Sequence, residues 1–197
     1  TIGKFDGLHI GHQLLIGDIN SKKDEGLYSL MFTFTNSPRH YIDNTPDQMI
    51  LSKEERREVV EQLQVDYFAE VPFDDAMMKL SPDEFLDLLV NELNMKHLSV
   101  GEDFRFGYKG AGDAKFLEKK SKELGFSLTV VEKIKHNDNI ISSSYLRELL
   151  TDGQIALVGE LLKRDYRISG EVIHGKKIGR TLGIPTINIE PSVDKLL

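Results

Sequence analysis

The chain has 197 residues, 40% of them hydrophobic and 29% charged, enough for one domain with a core or for one domain and a piece of another. A net charge of −7 disfavours nucleic acid as the main partner, although a small anion can still find a locally positive site. There is no cysteine, which excludes disulfides, thiolate catalysis, Cys-based zinc sites and iron–sulfur clusters, and no apolar run is long enough to span a membrane.

The elements alternate strand and helix. Thr1-Ile2-Gly3 reads as the end of a strand, and Gly3 to His12 (GKFDGLHIGH) as a glycine-rich loop that opens a helix patterned by Leu14, Leu15 and Ile19. Tyr28–Thr35 and Val65–Val71 read as strands. Between them Ser52 and Glu55 form a capping box for a helix to Leu63. Ser81-Pro82-Asp83-Glu84 opens a second helix, expected to run to about Leu93 with Phe85, Leu88 and Leu89 on one face. Lys96–Gly101 and Phe126–Ile134 are further strands, separated by a helix from Asp113 to Leu124 that Gly125 ends. Ser142–Leu150 is a short helix, and residues 151–165 read as another short helix and a linker. From Tyr166 the texture becomes glycine-rich and β-branched, the entry into a β-domain. Both ends read as cut, so the chain is expected to be a fragment of a longer protein.

Strands separated by helices imply parallel β-α-β units in a doubly wound sheet, with ligands bound beyond the carboxyl ends of the strands. Four distinctive loops follow predicted strands: Gly3–His12, Thr35–Pro38, Gly101–Asp113 and Ile141–Ser144. They are expected to meet on one edge.

His9-Ile10-Gly11-His12 stands where a helix N-terminus offers free N–H groups and a partial positive charge. Phosphate is the natural ligand there, with Gly11 permitting backbone approach and the two histidines adding donors for a leaving group. Two satisfied surface histidines are the plainer reading, and a metal is weaker because no third ligand has suitable local spacing. In the loop after Val100, Asp103 can hold ribose hydroxyls and Arg105 can take phosphate; a surface loop without function is the alternative. Ser142, Ser143 and Ser144 are either capping residues or, with Arg147, a grip on a triphosphate. No Walker loop is present, and Gly107–Gly112 (GYKGAG) is not a dinucleotide fingerprint. His40, His97, His136 and His174 are isolated.

Taken together, TIGKFDGLHIGH, VGEDFRFG with its following Gly-Asp, ISSSYLR and GKKIGRTLGIPTINIEP resemble, in that order, the bacterial bifunctional riboflavin kinase/FMN adenylyltransferase family. The resemblance covers essentially the whole chain. It implies a Rossmann-like nucleotidyltransferase domain with a parallel sheet over residues 1–165. Residues 166–197 would then be the start of a riboflavin kinase β-barrel. The implied reaction is FMN and ATP giving FAD and pyrophosphate with Mg²⁺, and riboflavin phosphorylation in the full-length protein. The substrates would be small molecules, in the cytoplasm, with no nucleic acid or membrane partner and the oligomeric state open.

By position, His9, His12 and Arg147 would be catalytic. Gly3, Phe5, Asp6, Gly7, Gly11, Asp103, Ser142, Ser143, Ser144 and Arg147 would hold the nucleotide. Asn36, Ser37, Pro38, Asp103 and Phe104 would hold the flavin, and Thr186 and Asn188 the kinase Mg²⁺, with Gly175, Gly179 and Gly183 allowing close approach. The family often carries Pro-His-Pro after its Thr-Phe strand end, whereas Thr33-Phe34 is followed here by Thr35-Asn36-Ser37-Pro38. Lys4 replaces a residue that is commonly small or polar. The family's kinase glutamate lies further along the barrel, so this chain is expected to lack riboflavin kinase activity. The alternatives are an H-x-G-H nucleotidyltransferase with another acceptor, or a non-catalytic flavin- or nucleotide-binding module.

Overall fold

The computed structural model describes residues 1–36, 41, 48–176, 178–181 and 183–197. Two parallel strand pairs form the framework. β1 (Leu30–Phe34) pairs with β2 (Tyr67–Val71), Leu30 opposite Tyr67, and β3 (His97–Gly101) pairs with β4 (Ser127–Val131), His97 opposite Ser127. Thr1–Gly3 lies between the pairs. Ile2 bridges Phe32 in parallel, the Phe32 N–H donates to Thr1 O at 2.9 Å, and on the other side Thr1 Oγ1 donates to Ser99 O at 2.8 Å. In space the order is β2, β1, residues 1–3, β3, β4, with a backbone bridge from Ile2 to β1 and a side-chain hydrogen bond from Thr1 to β3 joining the two separate ladders. The chain winds outward to β2, then crosses to the other side, and that reversal is where such sheets bind ligands.

The helices form where the local signals put them. α1 (Ile10–Ser21) packs over β3 and β4. α2 (Lys53–Gln62) starts at the Ser52/Glu55 capping box, and a short α3 (Asp75–Lys79) follows β2 with Asp74 as its cap. α4 (Pro82–Asp87) starts at the Ser81/Glu84 box, then loosens into a π turn over Leu88–Glu92 instead of continuing as α-helix to Leu93. α5 (Ala114–Leu124) runs from the Asp113 cap to Gly125 at φ 75. Ser142 caps α6 (Ser143–Thr151), and α7 (Ile155–Leu162) packs against it.

The strand expected to reach Ile134 ends at Val131, because its partner Gly101 is the last residue of β3. Residues beyond it form a small hairpin, β5 (Lys135–His136) with β6 (Asn139–Ile140), turned by Asn137 and Asp138 at φ 46 and 67. Paired left-handed Asx residues are the usual way to close a two-residue hairpin. That signal stood in the sequence unread.

Three apolar clusters make the core. One packs α4, its π turn and α5 on the sheet through Phe85, Leu86, Leu89 and Leu117 against Ile2, Phe32, Leu98 and Val100. A second joins Phe5, Leu8, Leu15, Ile16 and Met31 to Val59 and Val60 of α2. The third holds α6 and α7 together and takes in Ile50 and Leu196.

The second region is expected to hold only the start of a β-barrel. Among the described residues it contains one antiparallel pair, β7 (Gly170–Ile173) with β8 (Asn188–Pro191), and a single turn of helix, α8 (Ile178–Thr181), with no closed barrel. Two strands cannot bury their own faces, and every residue of β7 is exposed. Among the described residues no helix is long and apolar enough to cross a membrane.

Candidate active site

The loop from Gly3 leaves the sheet at its reversal and follows an unusual path. Phe5, Gly7 and Leu8 all have left-handed backbones, at φ 48, 83 and 47. Two of the three carry a β-carbon, so the conformation must be held by its surroundings. Asp6 is fully buried, accepts from the Ile50 N–H at 2.9 Å, and is ion-paired with Arg147. Burial pushes its carboxyl upward and the charge of Arg147 opposes that. Ser143 Oγ donates to Asp6 O at 2.8 Å. Gln13 Nε2 donates to Leu8 O and Leu162 O, each at 2.9 Å, and Arg164 donates to the carbonyls of Gly7 and Leu8.

The loop delivers His9 as the N-cap of α1, in extended conformation, with its side chain making no cap hydrogen bond. Its ring stacks on His12, one turn later, at 3.8 Å between centroids, and Phe5 packs edge-on to His12 at 5.2 Å. Gly11 makes room for this. A β-carbon there would stand 3.1 Å from His9 Cε1. Nδ1 of both histidines is buried without a partner among the described residues. Burial, then the charge of Arg164, lowers His9 to about 4. Burial, then His9, holds His12 well below its ordinary value. Both rings are therefore neutral at pH 7.

Two adjoining cavities open beyond them. The smaller, about 250 Å³, is lined by Gly3, His9, Gly11, His12, Asp103, Lys133, Ser142 and Ser143 among others. The larger, about 580 Å³, is lined by Phe34, Phe73, Met77, Phe104 and Phe106, with Lys4, Arg105 and Lys109. They share Ile2, Gly3, Asp103 and Phe104. A further hollow of about 470 Å³ lies at the opposite ends of the strands, between Tyr28, Leu30 and Met95, and its lining includes neither His9 nor His12. The loops after residues 1–3, β3 and β4 thus converge with the start of α6 on one edge, and Phe34 at the end of β1 reaches the neighbouring cavity.

Among the expected site residues, Asp103 faces both cavities and pairs with Lys133 at 2.9 Å, while Phe104 stacks on Phe106 at 5.5 Å. Ser142 accepts from Tyr145 N as the α6 cap; Ser144 is exposed and lines neither cavity. Arg147 is engaged by Asp6 and by Gln48 O at 2.9 Å, behind the loop and outside both linings. The Asn36 side chain accepts from Phe73 N and donates to Phe73 O, both at 2.9 Å, tying the end of β1 to the end of β2. Ser37 and Pro38 lie outside the described residues. Thr186 and Asn188 are exposed in the second region, beside Gly179 and Gly175. Gln13, Phe73, Met77, Lys133 and Arg164 escaped the sequence reading. Each is unremarkable in its own stretch and gains its place through a partner distant in the chain.

Two parallel strand pairs with a reversal of order between them, a stacked histidine pair at the first helix and two joined cavities over that edge define a nucleotidyltransferase-like α/β domain. The chain belongs to the FAD synthetase family, whose model matches residues 1–145, and a riboflavin kinase model matches residues 162–197. It is 38% identical over 192 residues to the bifunctional riboflavin kinase/FMN adenylyltransferase of Bacillus subtilis. It is 37% identical over 193 residues to the protein of that name from Haemophilus influenzae. Both alignments cover 96% of this chain, but 60% and 62% of those proteins, so the chain spans roughly three-fifths of their length. Its fold is similar to that in a crystal structure described as a macrolide-efflux protein from Streptococcus pneumoniae. The TM-score is 0.87 at 27% identity, covering 98% of this chain and 64% of that one.

Proposed function

We propose that residues 1–165 transfer the adenylyl group of ATP to FMN, giving FAD and pyrophosphate, in a cytoplasmic setting. The observation that carries this reading is the neutral His9–His12 pair on the wall of a cavity that shares Ile2, Gly3, Asp103 and Phe104 with an aromatic-lined one. The phosphate of FMN is already an anionic nucleophile, so the chemistry needs no general base. One of its oxygens attacks the α-phosphorus of ATP, the bond from that phosphorus to the β-phosphate bridging oxygen breaks, and the electron pair leaves on pyrophosphate. The site must align the two phosphates and stabilise charge on the leaving group.

The smaller cavity suits the nucleotide. The N-terminus of α1, His9, His12, Lys133 and the hydroxyls of Ser142 and Ser143 bring donors to it, and Gly3 and Gly11 keep its floor low. Phe5, Asp6, Gly7 and Arg147 act on the loop that presents the histidines. The larger cavity suits the flavin, with Phe34, Phe73, Phe104 and Met77 for its rings and Lys4, Arg105 and Lys109 for its phosphate. Asp103, between the two, is placed to meet both substrates, and Asn36 shapes the mouth through Phe73.

Among the described residues no cluster of three or more His, Asp or Glu could hold a metal. Mg²⁺ fits here as an ion brought by the ATP phosphates, with the carboxylates of Asp103 and Glu132 on the cavity lining. Bound so, it would neutralise phosphate charge. Riboflavin phosphorylation is assigned to the longer protein, whose kinase part would include residues 166–197, Thr186 and Asn188 among them; the two family matches support a division near Asp165.

The test is incubation of the chain with FMN, ATP and Mg²⁺, with FAD and pyrophosphate followed by chromatography. Equimolar FAD and pyrophosphate are expected. ATP binding without either product would overturn the reading in favour of a binding module. Pyrophosphate formed only with a different acceptor would overturn the choice of FMN.

A further inference from the structure

Arg164 stands in the segment that leads from α7 into the second region, and its guanidinium reaches under the loop that ends in His9. Nη1 donates to Leu8 O at 3.3 Å and to Leu162 O at 3.1 Å, and Nη2 donates to Gly7 O. Gln13 joins the same Leu8 and Leu162 carbonyls, so the loop and the end of α7 share two clamps. Gly7 and Leu8 are left-handed, and Leu8 is the residue before His9. A left-handed leucine is unfavourable alone and holds only when its neighbours enforce it. Arg164 is half-buried and lines neither cavity.

We propose that Arg164 is a positioning residue for adenylyl transfer: its planar fork fixes the Gly7 and Leu8 carbonyls and thereby aims the stacked His9–His12 pair. This rests on the function proposed above. A lysine in its place would keep the charge but not the fork that spans three carbonyls.

The charge has a second, separable effect. After burial, Arg164 is the next cause of the low pKa of His9. The other charged or titratable groups around this loop include His12, stacked on His9, the Asp6–Arg147 pair, Lys4, which acts on Asp6, and Asp103, Glu132 and Lys133 across the smaller cavity. Glu55 of α2 and Arg167 act on Arg164 itself.

The test compares the wild type with Arg164→Met and Arg164→Lys by kcat, by KM for ATP and FMN, and by the NMR titration of the His9 ring. Arg164→Met should lose about ten- to hundredfold in kcat while both KM values stay within about threefold. Its His9 midpoint should rise above about 4 while burial, the larger cause, still holds it below the ordinary value. Arg164→Lys should leave the His9 midpoint in place and still lose several-fold in kcat. A kcat within about twofold of wild type in Arg164→Met, or a loss confined to KM, would overturn the proposal. If Arg164→Met does not fold, Arg164→Lys decides alone, and an unchanged kcat there overturns it. If the wild type makes no FAD, the fault lies with the proposed function. The stacking of the two rings then judges Arg164 by itself: loss of the His9–His12 ring contact, read by NMR in Arg164→Met and Arg164→Lys, counts for it and an unchanged contact against it.

Discussion

His9 and His12 touch because three residues of helix bring side chains onto one face, and because Gly11 leaves the space that the His9 ring occupies. Their neutrality follows from burial. Neutral rings can donate to a phosphate without first binding a proton. His9→Ala and His12→Ala should each cost about 2–4 kcal/mol of transition-state stabilisation, read in kcat, with FMN binding by fluorescence little changed. Normal turnover in both variants would remove the role assigned to them. The same burial makes stability depend on pH. His9 titrates at about 4 in the folded chain against 6.5 ordinarily, so as pH falls the unfolded chain takes up the proton first. The resulting stabilisation is complete above pH 6.5 and is lost between 6.5 and about 4, on the order of 3 kcal/mol for this ring. Urea unfolding at pH 7 and pH 5 should show the decline, and His9→Asn should reduce it, leaving the share that buried His12 contributes in the same direction. Spacing alone pointed to the pair. It did not reveal that Arg147 faces Asp6 or that Arg164 faces the loop, because those partners lie 141 and 156 to 157 residues apart in sequence.

At the scale of elements, the helix starts were readable because a cap is a local device. Ser52, Ser81, Asp113 and Ser142 each accept from an N–H three residues on. Strand ends were not readable, since a strand stops where its neighbour stops, as Val131 does opposite Gly101. The loop from Gly101 to Asp113 shows both kinds of cause. Its sequence announced flexibility through glycine, but its shape comes from a bridge in which Phe106 and Gly112 exchange hydrogen bonds at 3.2 and 2.9 Å. A β-carbon on Gly112 would come within 2.5 Å of the Phe106 ring, which is buried in the core beside Phe85. Gly112→Ala should therefore destabilise the fold by about 1–3 kcal/mol and weaken FMN binding through the displaced wall of the larger cavity. Chemical denaturation and flavin fluorescence quenching check the two effects, and an unchanged flavin affinity would separate that wall from the flavin.

Across the whole molecule, the last residues pack onto the first domain. Met49 and Lys195 form a parallel bridge, Leu196 joins the cluster of α6 and α7, and Tyr166 donates its hydroxyl to Leu196 O. Lys195 Nζ lies 2.6 Å from Glu55 Oε2 and 2.7 Å from Ile50 O, and over the Tyr166 ring at 4.4 Å. The side chains of Lys195 and Glu55 are 1% and 2% exposed, so neither charge can fall back on water. Lys195→Met should cost about 3–5 kcal/mol in urea unfolding, because it strands the Glu55 carboxylate. Adding Glu55→Gln should recover part of that loss. A single variant as stable as the wild type would mean that the pair does not hold the two segments together.

The sequence by itself determined the alternation of strands and helices, the caps, the histidine pair at the first helix and the family, because each of these resides in a short run of neighbouring residues. Tertiary structure alone decided that Thr1–Gly3 lies between the two strand pairs, that the loops share one edge, and that Arg147 and Asn36 are occupied by protein partners. It also decided which glycines were needed and how deep the histidines lie. Those outcomes depend on which surfaces meet and how much water they exclude, and burial and long-range pairing are properties of the packed chain that no local stretch carries.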